Sequence, residues 1–340
     1  MNKENNVGIL GTGIYIPKKR ITAREIANRT KGAWTEEAII EKLGIIEKPI
    51  TGKNDGTQEM GVFAGLDAIK NTNLDPSEID LILSIGEEWK EYPLTTTGIY
   101  IQEKIGALNA WAIDLQQRCC STVAAMKIAK DMMFSDDDIK TVMIVGGYRN
   151  VDFLDYTDKP MSMMYNLSAG GGAIILRKNL HKNLLLGSNI ITDGTLARDA
   201  GVEFGGTCNP INAENLDVAY KSLRLFNEKH MKDRLNGVSM HNWLSCIDKA
   251  FQKSGIDKRE LGYLASLHFK GSMYLEMIDL LDLNKNQSIY LEKYGHIGQI
   301  DQILSLHLAL GQGKVKEGTV ISMIAAGIGY AWAANVIKWG

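Results

Sequence analysis

Cysteine is scarce in this sequence: there are 4 in 340 residues, two of them adjacent at Cys119 and Cys120. So sparse a set does not staple a disulfide scaffold, and in a reducing compartment the four read as thiols. Cys208 and Cys246 have no metal-ligand spacing around them and read as structural. An excess of one charge is lacking too. The 38 basic and 40 acidic residues leave a net charge of -2, whereas a nucleic-acid binder usually carries a basic excess. No apolar run reaches the length of a membrane span. The opening MNKENNVGIL has no long apolar core of the secretory kind, so a cytoplasmic location is expected. Prolines number 6, and no proline- or serine-rich stretch marks a linker. What is present is ordinary globular composition, 45% hydrophobic and 23% charged, enough for a large core.

The chain echoes itself. AIKNTNLDPSEIDLILSI, ending at Ile85, aligns without a gap with AFQKSGIDKRELGYLASL, ending at Leu267. Each has a helix end, an aspartate, a glutamate three residues later, and an apolar strand. TVMIVGG (141–147) is echoed by TVISMIAAG (319–327) in the same order. Short apolar runs predict strands at 81–85, 141–145, 173–176, 184–191, 264–268 and 320–325, of the kind buried on both faces. Helical patterns lie between them, at 57–70 and 300–310 for example. The expected architecture is α/β, with two duplicated halves, 1–177 and 178–340, packed against each other. Chemistry in such folds gathers at strand ends.

GILGTGIYIP (8–17) is glycine-rich, but a dinucleotide fingerprint needs a helix to open at the glycines. Here the strand pattern runs on and Pro17 forbids an early helix, so a strand with a bulge or turn is expected. In DLQQRCCSTVAAMKIAK (114–130) the two cysteines head an apolar helix running to about Met133. Cysteine is often only a small buried hydrophobe. A helix start also offers free N–H groups and a positive dipole end, which favour a thiolate and suit a nucleophile. His268 closes a strand at the place that Gly86 occupies in the first half, and would face a cysteine of that half. His296 lies in a turn leading into a helix. His181, His230, His241 and His307 read as solvated. Glu87 and Glu88 follow the strand at 81–85, at the end corresponding to His268. AAGIGYAWAA (325–334) is a tight glycine-rich turn: either a plain turn, or one in which Gly327, Ile328 and Gly329 bring backbone N–H groups to a carbonyl oxygen.

These residues, in this order, resemble the thiolase-fold condensing enzymes, most closely the beta-ketoacyl-ACP synthase III family. GILGTGIYIPKKRIT is similar to the family's opening strand. YPLTTTGIYIQEKIGALNAWAIDL is similar to the segment leading to its active cysteine. YNLSAGGGAIIL resembles the strand closing its first half, and EKYGHIGQIDQILSLHLALGQGKVKEGTV with AAGIGYAWAANVIKW its C-terminal end. The resemblance implies a layered α-β-α-β-α sandwich. The family cysteine lies five residues after an aspartate, a register that runs here from Asp114 to Cys119. Cys119 is then the nucleophile and Cys120 a small packing residue. His268 matches the histidine opening the family's HQAN-like motif, which reads HFKG here. The family asparagine is replaced by His296, making this a divergent member.

The resemblance further implies acyl transfer from acyl-CoA or an acyl carrier protein to Cys119. Claisen condensation with a malonyl-type thioester follows, in fatty-acid-like or specialised polyketide metabolism. His268 and His296 together would hold the second thioester's oxygen. No metal or redox cofactor is expected, since coenzyme A or carrier-protein thioesters are the substrates. Trp34 resembles a tryptophan stacking on the coenzyme A adenine. A homodimer is expected, with a loop near Leu94 closing the neighbour's acyl tunnel; neither nucleic acid nor membrane is an expected partner. One alternative keeps the acyl-cysteine but passes it to an amine, an alcohol or a non-malonyl carbanion. Glu87 or Glu88 would then be the base, as in the related hydroxymethylglutaryl-CoA synthases. An alternative of another class is a non-catalytic partner subunit of a heteromeric synthase, marked by a missing nucleophile; Cys119 is present here.

Overall fold

The computed structural model describes residues 6–340, and the start of the opening segment, MNKEN, lies outside them. Nine strands carry the fold: β1 (Val7–Tyr15), β2 (Leu81–Ser84), β3 (Trp111–Asp114), β4 (Thr141–Tyr148), β5 (Gly170–Lys178), β6 (Leu184–Thr192), β7 (Leu261–Ser266), β8 (Val320–Gly327) and β9 (Ala331–Lys338). They hydrogen-bond in the order β7-β8-β9-β6-β1-β5-β4-β2-β3. The two halves of that order meet through one residue pair, Gly8 with Leu184.

The pairing is the same on either side of that join. In the first half β2 is parallel to β3 and β4, β4 is antiparallel to β5, and β5 is antiparallel to β1. In the second, β7 is parallel to β8 and to a lone bridge at Ser288, β8 is antiparallel to β9, and β9 is antiparallel to β6. The sequence echo has a local cause. Helices α1 (Thr57–Thr72) and α4 (Glu228–Ser254) each end on a left-handed residue, Asn73 and Gly255. A short 3-10 turn follows, closed by a capping box: Asp75 with Glu78, and Asp257 with Glu260. Each box satisfies backbone donors that the turn leaves open and feeds the chain into β2 or β7.

Layering follows from burial. Helix α1 covers β1, β4 and β5, with α2 (Thr97–Ile105) packed beside it on β2 and β3, and α4 covers β6, β8 and β9. Between the halves lie α3 (Ser121–Ser135) and α5 (Asp301–Gly311). Helix α3 touches β4 of its own half and β6, β8 and β9 of the other; α5 touches β7 and β8 of its half and β1 and β5 of the other. A helix hemmed in on both sides must be apolar or internally satisfied all round, and residues 301–306 of α5 are all buried. The order is helix, sheet, helices, sheet, helix.

The structure refines several strand expectations. β1 has a register shift between Ile9 and Gly11, which is the irregularity its glycines suggest. β5 begins at Gly170, three residues before the expected start. Its glycines serve close packing: α1 crosses so near that a Cβ on Gly171 would lie 2.1 Å from the Met60 carbonyl oxygen. β7 ends at Ser266, leaving His268 two residues beyond it. His307 is half-buried against Thr12, its Nδ1 3.0 Å from the hydroxyl. Among the described residues no helix is long and apolar enough to cross a membrane.

Candidate active site

Cys119 sits in a single 3-10 turn, Arg118–Cys120, immediately ahead of α3. Arg118 has φ +51, a left-handed conformation unusual for a side chain of its size. The Ser121 hydroxyl ties the turn, accepting from the Gln117 N–H and donating to the Arg118 carbonyl, both at 2.7 Å. The two adjacent cysteines face different surroundings. Cys120 is fully buried and its Sγ donates to the Ala331 carbonyl of β9. Burial first, then the neighbouring sulfurs of Cys119 and Cys246, push its thiol well above the usual range. Cys119 is 6% exposed, and its Sγ lies 3.0 Å from Nε2 of His296.

His296 comes from the other half, in the turn before α5. Its Nδ1 lies 2.6 Å from Oδ2 of Asp301, the first residue of that helix. Asp301 is completely buried, and its carboxylate also accepts from the backbone N–H groups of Ile297 and His268, both at 2.7 Å. Such a carboxylate fixes the imidazole's orientation and its tautomer, with the proton on Nδ1 and Nε2 facing the sulfur. Burial pulls the His296 pKa down. The charges of Cys119 and Asp301 and the hydrogen bonds to both outweigh that and hold it well above the ordinary value.

His268 is equally buried but turned elsewhere. Its Nε2 lies 3.1 Å from the Gly44 carbonyl, and Nδ1 lies 3.2 Å from the amide nitrogen of Asn166. These partners assign the tautomer: Nε2–H donates to the carbonyl, and Nδ1 accepts from the asparagine. The ring stacks on Tyr290 at 5.1 Å. Burial lowers its pKa to about 4, so at neutral pH it is uncharged. The sequence reading pairs the two histidines on one oxygen. Here His268 spends its N–H on Gly44, and His296 faces the sulfur.

The two glutamates separate. Glu87 is buried and Glu88 exposed, and Arg118 bridges them with N–H groups at 3.1 and 3.0 Å. Burial raises the Glu87 carboxyl above its usual range, with Arg118 and Asn150 opposing. Glu87 adjoins Tyr148, a buried phenol at the end of β4 whose ring lies 6.2 Å from that of His296. Burial, then the charges of Cys119, Glu87 and Asp301, push that phenol well above its usual range.

Gly327 closes β8 against the cysteine turn. A Cβ there would lie 2.9 Å from the Gln117 carbonyl oxygen and 3.1 Å from the Cys119 amide nitrogen, so only glycine admits this approach. Ile328 is half-buried and Gly329 has φ +111 in the same turn. Trp34 and Leu94 lie apart from this cluster. Trp34 is half-buried, its ring 6.4 Å from Tyr165 and beneath the Lys42 ammonium. Leu94 is fully exposed. All four cysteines are free, and Cys208, read as structural, is exposed. Among the described residues no group of three or more His, Cys, Asp or Glu is placed to hold a metal ion.

The sequence reading missed Asp301, Asn166, Tyr148 and the buried Lys48. Asp301 left a trace: an aspartate five residues after His296, opening a predicted helix. Tyr148 ends β4 and Asn166 stands in the turn before β5, and neither segment gives a sign of what these side chains face.

Comparison with known proteins places these residues in context. A family model described as 3-oxoacyl-[acyl-carrier-protein (ACP)] synthase III matches residues 113–194, the stretch carrying Cys119. A second, the C-terminal part of 3-oxoacyl-[ACP] synthase III, matches 251–339, the stretch carrying His268, His296 and Asp301. The beta-ketoacyl-[ACP] synthase III of Clostridium acetobutylicum is 27% identical over 337 residues, spanning 98% of this chain and 99% of the relative. That of Caldanaerobacter subterraneus is 24% identical over 334 residues, spanning 98% and 97%. Among solved structures, 3-oxoacyl-[ACP] synthase III from Aquifex aeolicus matches with a TM-score of 0.84 at 22% identity, over 98% of this chain and all of that one. The priming beta-ketosynthase of the R1128 polyketide pathway matches with a TM-score of 0.83 at 21% identity, over 98% and 97%.

Proposed function

Since the chain belongs to the 3-oxoacyl-[ACP] synthase III family of thiolase-fold condensing enzymes, we propose that Cys119 carries an acyl group from one thioester to a second substrate. The observation that carries this is the chain of contacts from Cys119 Sγ to His296 to Asp301, at 3.0 and 2.6 Å. It supports a thiolate paired with an imidazolium. The thiolate attacks the acyl carbon of acyl-CoA or an acyl carrier protein. The oxyanion is met by the Cys119 N–H and the turn at Gly327–Gly329. When the carbon–sulfur bond of the donor breaks, His296 returns its proton to the leaving thiolate. His296 is then neutral, with Nε2 free to act as a base.

The second half-reaction follows the family as a Claisen condensation. Loss of CO2 from a malonyl-type thioester supplies an enolate, which attacks the acyl-Cys119 carbon and expels the thiolate. A second reading, transfer to an acceptor that must lose a proton, has one observation in its favour. His268 holds its only N–H on the Gly44 carbonyl, which leaves one imidazole, not two, to face an enolate oxygen. His296 backed by Asp301 then serves as the base for an alcohol, an amine or an acidic carbon; buried Glu87 is the other carboxylate at hand. Intact-mass analysis after incubation with short acyl-CoA, with peptide mapping to Cys119, tests the shared first step. Absence of an adduct on Cys119 overturns the proposal. Release of CO2 from a malonyl thioester, matched to product, selects the Claisen reading.

The remaining expectations stand as proposals of the same kind. Strand β3 is the edge of the sheet, and Trp111 and Ile113 on it are 48% and 46% exposed. Leu108, Ile99 and Leu94 around it are more exposed still. A bare apolar edge invites pairing with another strand, and this supports a homodimer. A cytoplasmic location accords with thioester substrates.

A further inference from the structure

Lys48 is a lysine without any solvent exposure, and among the ion pairs of the described residues it has no carboxylate partner. It lies in the short strand Glu47–Pro49, which pairs with Arg20–Thr22. Its Nζ donates to two backbone carbonyls, Tyr165 at 2.6 Å and Leu167. The amine also lies 5.4 Å over the Tyr156 ring. Burial, then the charge of Arg29, lowers its pKa well below the ordinary lysine range. A neutral amine has two N–H groups, and two carbonyls receive them. Burying a polar group this deep is costly unless every donor is met.

The residue between those carbonyls is Asn166, which touches both histidines. Its carbonyl accepts from the His296 N–H at 2.8 Å. Its side-chain amide donates to Nδ1 and to the carbonyl of His268, at 3.2 and 3.3 Å. Ser168 continues the pattern: its N–H donates to the His296 carbonyl at 2.9 Å, and its hydroxyl to the Pro49 carbonyl at 2.7 Å. The Lys48 stem lies under the turn itself, where a Cβ on Gly295 would be 3.2 Å from the Lys48 Cβ. Residues 48 and 49 therefore grip the segment 165–168 from one side, and that segment holds the backbone of His296 from the other.

We propose that Lys48 is a positioning residue for the reaction: it clamps the segment 165–168 so that Asn166 and Ser168 set the His296 imidazole against Cys119. The inference rests on the Cys119–His296 pairing above. Lys48→Met keeps the stem and the burial while removing both donors. The segment then loosens, and His296 shifts relative to the sulfur. A misplacement on the scale of 1 Å costs up to about a hundredfold in rate.

The test reads two quantities on Lys48→Met and wild type. One is the rate of Cys119 acylation by a short acyl-CoA. The other is the pH midpoint of Cys119 alkylation by iodoacetamide, which reports the pairing with His296. The expected result is about a tenfold to hundredfold slower acylation, with the alkylation midpoint moved to higher pH. A variant that only loses thermal stability, with rate and midpoint as in wild type, overturns the proposal. If Lys48→Met does not fold, Ser168→Ala reads the same clamp from its Pro49 side. A smaller upward shift of the midpoint is expected there, and an unchanged midpoint contradicts the clamp. If wild type itself shows no acylation but does show a midpoint that His296→Ala moves, the acyl-transfer reading fails, and the midpoint of Lys48→Met alone decides the clamp: a shift to higher pH supports it and an unchanged midpoint overturns it.

Discussion

The starts of the two central helices make the same backbone move and carry different chemistry. A 3-10 turn at Arg118–Cys120 leads into α3, and a 3-10 turn at Gly298–Ile300 leads into α5. The first delivers a nucleophile. The second delivers its base from just upstream, and the carboxylate that orients the base is the first residue of the helix itself. The strand ends differ in the same way, with Glu87 beyond β2 and His268 beyond β7. A duplicated frame places equivalent positions face to face, and divergence of the side chains makes two half-sites into one site. Neither half is competent alone, since the 3.0 Å contact between Cys119 and His296 crosses the interface of the halves.

The largest break in this comparison is at the nucleophile. Cys119→Ala should abolish the acyl adduct, while Cys120→Ser should keep most of it, because Cys120 points into β9. Adducts mapped to Cys120 would reverse the roles assigned to the two sulfurs. Asp301→Asn comes next. An amide cannot hold the imidazole in the same tautomer, and acylation should slow on the order of a hundredfold or more, read by stopped-flow with acyl-CoA.

The two histidines should be separable by pH. His268 has a folded pKa of about 4 against an unfolded value near 6.5. Between those values the unfolded state binds more protons, so stability falls as pH drops through this window, by roughly 3 kcal/mol at most. His296 has the opposite sign: its folded pKa is raised, so its contribution is full below about 6.5 and is lost as pH rises through the folded value. Urea titrations at several pH values should show the acid limb diminished in His268→Gln and kept in His296→Gln. The smallest effect is expected at the strand end. Glu87→Gln should lower turnover by less than about tenfold with acylation intact, and exposed Glu88→Gln should stay near wild type. Equal effects would remove the distinction that burial makes between them.

Much of this frame was legible in the sequence because it is local. The aspartate–glutamate capping boxes at 75–78 and 257–260 recur at fixed offsets before apolar strands, and they mark the duplication directly. The apolar helix behind Cys119 and Cys120 marked the pair as a candidate, and the choice of Cys119 came from the Asp114 register that the family resemblance implies. The long-range contacts were not. Nothing in HFKG indicates that the His268 N–H goes to Gly44, 224 residues away in the chain. The pairing of His296 with the sulfur, in place of a shared oxygen, depends on Asp301, which shows only as an aspartate opening a helix, and on Asn166, which no pattern singles out. Lys48 was least legible of all, since a lysine between a glutamate and a proline reads as surface.

The most direct test is the rate of acyl-Cys119 formation in His296→Ala, followed by intact mass over time with a short acyl-CoA. With the imidazole at 3.0 Å from the sulfur, the account predicts acylation slower by on the order of a hundredfold or more, in a protein that still folds. An adduct forming at the wild-type rate would contradict it, and would return His296 to a role in the second half-reaction alone.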